Sequence, residues 1–354
     1  MDGTADPGPY RLPGVLPTTV VGSYSVPEWL ERLKTDCHQR KISGDFLREI
    51  HDVAIKAALK DQERAGVDIV SDGELRRDND IDYFLVRVPG VEVPHLAKAF
   101  YYDYYEAWVT HPLPGTATSL GLAEDFSFTK AQTDHPIKFS LISPYALARR
   151  IRIRNGAYPD RGDLVRALAV ILNREAHTLA DAGATILQID EPFLAGYPQD
   201  VDLAMEAIAI VIDGVDVTWA LHVCYGNRYA RPLWEGHYDF LFPAVLDVAV
   251  DQLVLEFARK GYDDLQLFRK YPWDRSLGLG VIDVKTDDVE PVEVVAAHIH
   301  RALEFVPADR LVINPDCGLR HLPSAVARAK LRAMVAAAAQ VRAEVEGTPT
   351  HLGR

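Results

Sequence analysis

Residues 163–192 read DLVRALAVILNREAHTLADAGATILQIDEP, and this stretch sets the expected fold. Its first part places Leu164, Leu168, Ile171, Leu172 and Leu179 on one helical face, with Gly183 as the C-terminal stop. Its second part, ATILQIDEP, is apolar until it turns acidic at its C-terminal end, as a parallel strand buried on both faces does. A helix feeding such a strand is the repeating unit of a parallel sheet with crossover helices.

Seven further runs have the same character: TTVVGSY (18–24), VDIVSDGE (67–74), PIKFSLISP (136–144), VTWALHVCYG (217–226), VDQLVLEF (250–257), LGLGVIDVK (277–285) and RLVINPDCG (310–318). A second clear helical pattern covers 292–305. Eight strands with intervening helices predict an α/β protein, a single-domain (β/α)8 TIM barrel, although a doubly wound sheet gives similar local signals. The barrel is expected over 16–343, between a flexible N-terminal tail (1–15) and a C-terminal tail (344–354). A long insertion, about 85–135, follows the second strand and contains AFYYDYYEAW. Such a segment either covers the catalytic rim as a lid or packs on the barrel exterior or in a dimer interface.

Composition narrows the function. The 354 residues are 48% apolar, enough for one large core or two ordinary domains. Acidic residues outnumber basic ones 51 to 38, for a net charge of −13, and no Lys/Arg cluster is laid out for a phosphate backbone. Nucleic acid is therefore not an expected partner. No apolar run approaches the ~18 residues that span a bilayer, and the first fifteen residues lack the apolar segment of a signal peptide. A soluble cytoplasmic protein is expected. The three cysteines, Cys37, Cys224 and Cys317, imply no disulfide framework, and Cys37 reads as an inert thiol.

The polar residues of the strand runs collect at their C-terminal ends. Ser23, Glu74, Asp190 with Glu191, His222 with Cys224, Glu256, Asp283 with Lys285, and Asp316 with Cys317 all do so. In a barrel this face carries the active site. His222 and Cys224 are two apart on a strand and share a face, as two ligands of one metal must. H-x-C alone is equally what a core histidine beside a buried thiol produces. Cys317 and Glu256 complete a set of four ligands of the types zinc prefers. Glu256 could instead cap a helix or form an ion pair, and Glu74 and Asp190 could cap the helices that follow them. Arg76 and Arg77 read as partners of surface or loop carboxylates, and His298 and His300 as solvated or packed helix residues.

The motifs LPTTVVGSY, DIVSDGELRRDN, LQIDEP, HVCYG, LVLEF, GVIDVK and INPDCG resemble, in order, the catalytic domain of cobalamin-independent methionine synthase, from about Leu16 to Met334. The resemblance implies a (β/α)8 barrel in which Zn2+ activates homocysteine for methylation. By motif it assigns the zinc to His222, Cys224, Glu256 and Cys317. It assigns the homocysteine carboxylate to Gly22 and Ser23 and the ammonium to Glu74 and Asp190. Asp283, Lys285 and Glu191 become catalytic or donor-site candidates.

The chain also departs from the family. Nothing corresponds to the second, N-terminal barrel of the full enzyme. The family's donor-site glutamate falls near Gly196, its tryptophan falls within ALARRI, and the histidine of G-V-x-D-I-H is replaced by Lys285. These changes point away from folate, and Lys285 suits an anionic group on another donor. The expected activity is a zinc-dependent thiol alkyltransferase, a stand-alone methionine synthase-like methyltransferase acting on homocysteine or a related thiol with a non-folate donor. A corrinoid or corrinoid protein is a candidate donor, and homo-oligomerisation is left open. The alternatives are thiol addition to an epoxide, as in epoxyalkane:coenzyme M transferases, and a non-catalytic zinc-binding partner protein.

Overall fold

The computed structural model describes residues 13–115 and 119–347; most of the expected N-terminal tail and the end of the C-terminal one lie outside the described residues. The strands are β1 Ala107–Val109, β2 Lys138–Ile142, β3 Ile151–Ile153, β4 Ile186–Glu191, β5 Thr218–Val223, β6 Gln252–Leu255, β7 Ser276–Ile282 and β8 Leu311–Pro315. Six of them form a parallel sheet in the order β2-β4-β5-β6-β7-β8. These strands coincide with six of the eight runs read from the sequence.

The other two runs behave differently. Residues 18–21 and 67–70 form single parallel bridges rather than ladders, pairing Thr18 with Ile313, Thr19 with Ile69, and Val70 with Ile137. Those bridges join the free edge of β8 to the free edge of β2. The result is the ring of eight parallel segments expected of a (β/α)8 barrel, with a lightly bonded seam. Asp68 reinforces the seam by accepting from the backbone N–H and the hydroxyl of Thr18, both at 2.7 Å.

Helices cover the outside. Arg161–Asp181 buries Leu164, Leu168, Ile171, Leu172 and Leu179 together, its N-cap Asp160 accepts from the Asp163 N–H, and Gly183 follows in the left-handed region at φ +90°. The last helix, Ser324–Gly347, runs on into the segment read as a C-terminal tail. It packs on the helices Val292–Leu303 and Gly44–Ala65, and Arg342 donates to the carbonyls of Val15 and Leu16 at 3.1 and 2.9 Å.

The insertion is partly ordered on its own account. β1 pairs with β3 in a small second sheet, and a short helix spans Leu122–Lys130. Tyr101, Tyr102 and Tyr105 are buried, and Lys98 pairs with Asp82 at 2.7 Å. The aromatic stretch is thus anchored to the loop after the second run and reaches the barrel mouth.

Candidate metal and amino-acid site

Register explains why the polar residues converge. Ser140 lies opposite Gln188, and two residues further along Asp190 lies opposite His222 and His222 opposite Val254, so side chains from successive strands stack on two adjacent levels inside the ring. Lys138, opposite Ile186, occupies the layer below Ser140. At the C-terminal mouth a pocket is lined by Gly22, Ser23, Glu74, Asp190, His222, Cys224 and Cys317, all expected site residues.

His222, Cys224 and Cys317 place one ligand atom each within 4.8 Å of one another. The Nδ1–H of His222 points to the carbonyl of Val254 at 3.2 Å, which leaves Nε2 to face the thiols. That nitrogen is buried and has no hydrogen-bond partner. A fixed imidazole with a free inward nitrogen beside two thiols is a donor set suited to a soft or borderline divalent metal. The thiols are unequal. A hydrogen bond from Cys224 lowers the Cys317 pKa well below that of an ordinary thiol against the effect of burial, and His222 helps; Cys224 is raised by the same contact and by burial.

Glu256, the fourth residue read as a ligand, is not among the three whose donor atoms all lie within 4.8 Å of one another, but it is close enough to raise the pKa of Cys224. Its Oε1 accepts the Tyr225 N–H at 3.0 Å and its Oε2 pairs with Lys285 Nζ at 2.9 Å. Lys285 is therefore not a free cation facing a donor, as its sequence position suggested, because its charge is spent on a carboxylate 29 residues away. Asp283 does not line the pocket either: it receives the Lys285 N–H at 2.8 Å and shapes the turn. Glu191 is wholly buried and accepts from the Ser143 hydroxyl and from the N–H groups of Phe193 and Leu194. It builds the turn after β4, and burial followed by these hydrogen bonds leaves its pKa at about 7.

Away from the thiols, the pocket is acidic. Glu74 accepts from Ser140 Oγ at 2.9 Å and faces Arg77 at 3.3 Å, with its backbone at φ +55°. A non-glycine residue held there stores strain, which is common where a side chain must be aimed. Asp190 takes a 2.6 Å hydrogen bond from Gln188, and burial together with the charge of Glu74 pushes its pKa up to about 7. Arg77, read as the partner of a surface or loop carboxylate, pairs with Glu74 of its own loop, and it is buried, donating also to the Ser140 carbonyl at 2.8 Å.

Four lining residues with polar side chains were not among the expected site residues: Asp80, Tyr102, Asn227 and Arg320. Asp80 lies in the same loop as Glu74, and burial followed by repulsion from Glu74 raises its pKa to about 6. Asn227 donates to the Gly318 carbonyl at 3.0 Å. Asn227 and Arg320 each follow one of the two clustered cysteines by three residues, a proximity that could have flagged them. Tyr102 comes from the insertion and carried no such signal.

The family model described as the catalytic domain of cobalamin-independent synthase matches residues 16–340. A methionine synthase of Saccharolobus solfataricus is 35% identical over 343 residues, 95% of this chain and 97% of that protein. A methionine synthase of Sulfurisphaera tokodaii is 34% identical, with 94% of each chain covered. Among solved structures, a B12-independent methionine synthase from a Shewanella species, in complex with selenomethionine, is similar at a TM-score of 0.81 and 30% identity, covering 94% of this chain and all of that one. A methyltransferase from Methanosarcina mazei, at 16% identity and a TM-score of 0.61, shares the fold. With a family match over nearly all of its length and relatives matched end to end, the chain belongs to the cobalamin-independent methionine synthase family and carries that family's catalytic barrel.

Proposed function

We propose that the protein is a zinc-dependent methyltransferase that methylates the sulfur of homocysteine, with the metal held by His222, Cys224 and Cys317 and with Glu256 as the fourth ligand. The observation that carries this reading is the partnerless Nε2 of His222, set within 4.8 Å of two thiols at the same mouth as Glu74 and Asp190. Zinc bound there would lower the pKa of the substrate thiol, ~8.5 when free, and present it as a thiolate. Glu74 and Asp190 suit the ammonium group, and Gly22 and Ser23 offer backbone and hydroxyl to the carboxylate. The sulfur then attacks the methyl carbon in line, an S–C bond forms, and the donor leaves with the electron pair of its broken bond.

The donor in this reading is not a folate. Gly196 has no carboxylate to offer, and a side chain there would run into Trp234. Lys285, paired with Glu256, is not free to protonate a departing folate nitrogen. A methylcorrinoid remains the candidate donor. A cytoplasmic setting, where thiols stay reduced, suits this reading. Coenzyme M is disfavoured as the thiol, since its sulfonate would meet two carboxylates.

Calorimetry of the zinc-loaded protein tests the substrate. Homocysteine should bind at least about tenfold more tightly than 4-mercaptobutyrate or coenzyme M, a charge-assisted hydrogen bond being worth roughly 1.5 to 3 kcal/mol. Asp190→Asn should erase most of that preference. Tighter binding of coenzyme M would instead favour the epoxide-opening alternative.

A further inference from the structure

Lys285, the cation expected to meet an anionic donor, is paired with Glu256. Two other cations near the mouth are not engaged in this way. Arg150 ends the helix Pro144–Arg150 that follows β2, and Arg228 lies in the loop after β5. Their guanidinium carbons each stand 4.4 Å from the centre of the Tyr104 ring, so the two charges are at most twice that distance apart. Tyr104 belongs to the insertion, and its hydroxyl reaches Asp80 of the pocket lining at 3.4 Å. Arg228 also lies 5.7 Å from the ring of Tyr102, another lining residue. The pair therefore borders the pocket.

Neither arginine has a carboxylate partner. Among the described residues neither forms an ion pair, and the buried Nε of Arg150 has no hydrogen-bond partner, whereas Arg152, two residues on, pairs with Glu106 at 3.2 Å. In a chain with 51 acidic residues against 38 basic ones, two neighbouring half-buried guanidinium groups without a counter-ion leave charge for a ligand to complete. Stacking on Tyr104 fixes their planes but cancels no charge, because a ring contributes only its quadrupole. A guanidinium held against an aromatic face keeps its N–H edge available to an oxyanion.

We propose that Arg150 and Arg228 flank a seat for an oxyanion of the phosphate type beside the pocket, and that this oxyanion is carried by the methyl donor. The second half rests on the corrinoid reading above; the seat itself does not. Inorganic phosphate is the first probe, titrated by phosphorus NMR into the protein saturated with homocysteine. Arg150→Gln and Arg228→Gln should each weaken phosphate at least about tenfold, as expected when one of two charge-assisted partners is lost. Arg152→Gln removes an equal charge nearby and should change phosphate affinity less than about twofold; homocysteine affinity, read by calorimetry, should stay within about twofold in all three variants and certifies their fold. The second probe is a pair of corrinoids, methylcobalamin with its phosphodiester and methylcobinamide without it. Wild type should bind methylcobalamin at least about tenfold more tightly, and the two glutamine variants should bind both alike. Equal phosphate affinity in wild type and both glutamine variants overturns the seat. Phosphate binding that depends on the arginines, with no preference for methylcobalamin, means that a free oxyanion occupies the seat and overturns its assignment to the donor. Methylation of homocysteine by either corrinoid would leave the reading above standing in both cases, so the two failures are told apart.

Discussion

A methyl group added at Gly22 would stand 2.5 Å from Oε1 of Glu74 and 2.9 Å from Oγ of Ser140. Glycine there is a packing requirement, since it lets the first barrel segment pass beneath the carboxylate assigned to the substrate ammonium. At Gly318 an added Cβ would collide with the hydroxyl of Ser23. Gly22→Ala should therefore raise the KM for homocysteine at least about tenfold through an overpacking cost of about 1–3 kcal/mol. Zinc content should not change, because the ligands lie on other strands. Unchanged KM with normal folding would show that Glu74 is not placed by this contact. The sequence made Gly22, Ser23, Glu74 and Asp190 legible because each ends an apolar run. It could not disclose the Glu256–Lys285 pair, whose members sit 29 residues apart and meet only through the reach of a lysine.

Strand β2 shows both what apolar patterning reveals and what it hides. Its five residues are all buried, and the run was easy to recognise; yet it begins with Lys138, which is 2% exposed and whose Nζ has no hydrogen-bond partner. Burial pushes the Lys138 pKa down to about 7, although Asp190 and Glu74 pull it up. The unfolded chain, with a lysine near ~10.4, binds the proton throughout the window from about 7 to 10, while the folded chain does not. Stability from this residue therefore rises with pH across that window, by at most roughly 1.4 kcal/mol per pH unit. Urea unfolding at pH 7.5 and 9.5 should show wild type gaining on Lys138→Met as the pH rises. Equal gains in the two proteins would mean that Lys138 is charged in the folded state. The insertion is the opposite case, for its aromatic residues were visible but their destination was not. Tyr102 lines the pocket because Lys98 pairs with Asp82 and Tyr101 donates to Glu31, which ties the segment to neighbouring elements, and neither pairing has a local period.

Across the whole ring, the two kinds of bonding fall on different parts of the site. His222, Cys224 and Cys317 issue from β5 and β8, and Asp190 lies on β4, all in the continuous ladder, whereas Gly22, Ser23 and Glu74 follow the segments joined only by single bridges. Barrel closure was legible as eight runs of similar length, but the seam was not, because bridge and ladder share the same composition. Local opening should begin where backbone hydrogen bonds are sparsest. Amide exchange should accordingly be faster at residues 18–21 and 67–70 than along β4 to β7. At low denaturant the protein should lose its grip on homocysteine while zinc stays bound; simultaneous loss of both would show that the seam is as firm as the ladder. If the proposed roles hold, a firm side that holds the sulfur and Asp190, and a yielding side that carries Gly22, Ser23 and Glu74, give a route for turnover: once methylated, the product would be let go as the compliant side of the ring opens, while the firm side keeps its shape for the next thiol.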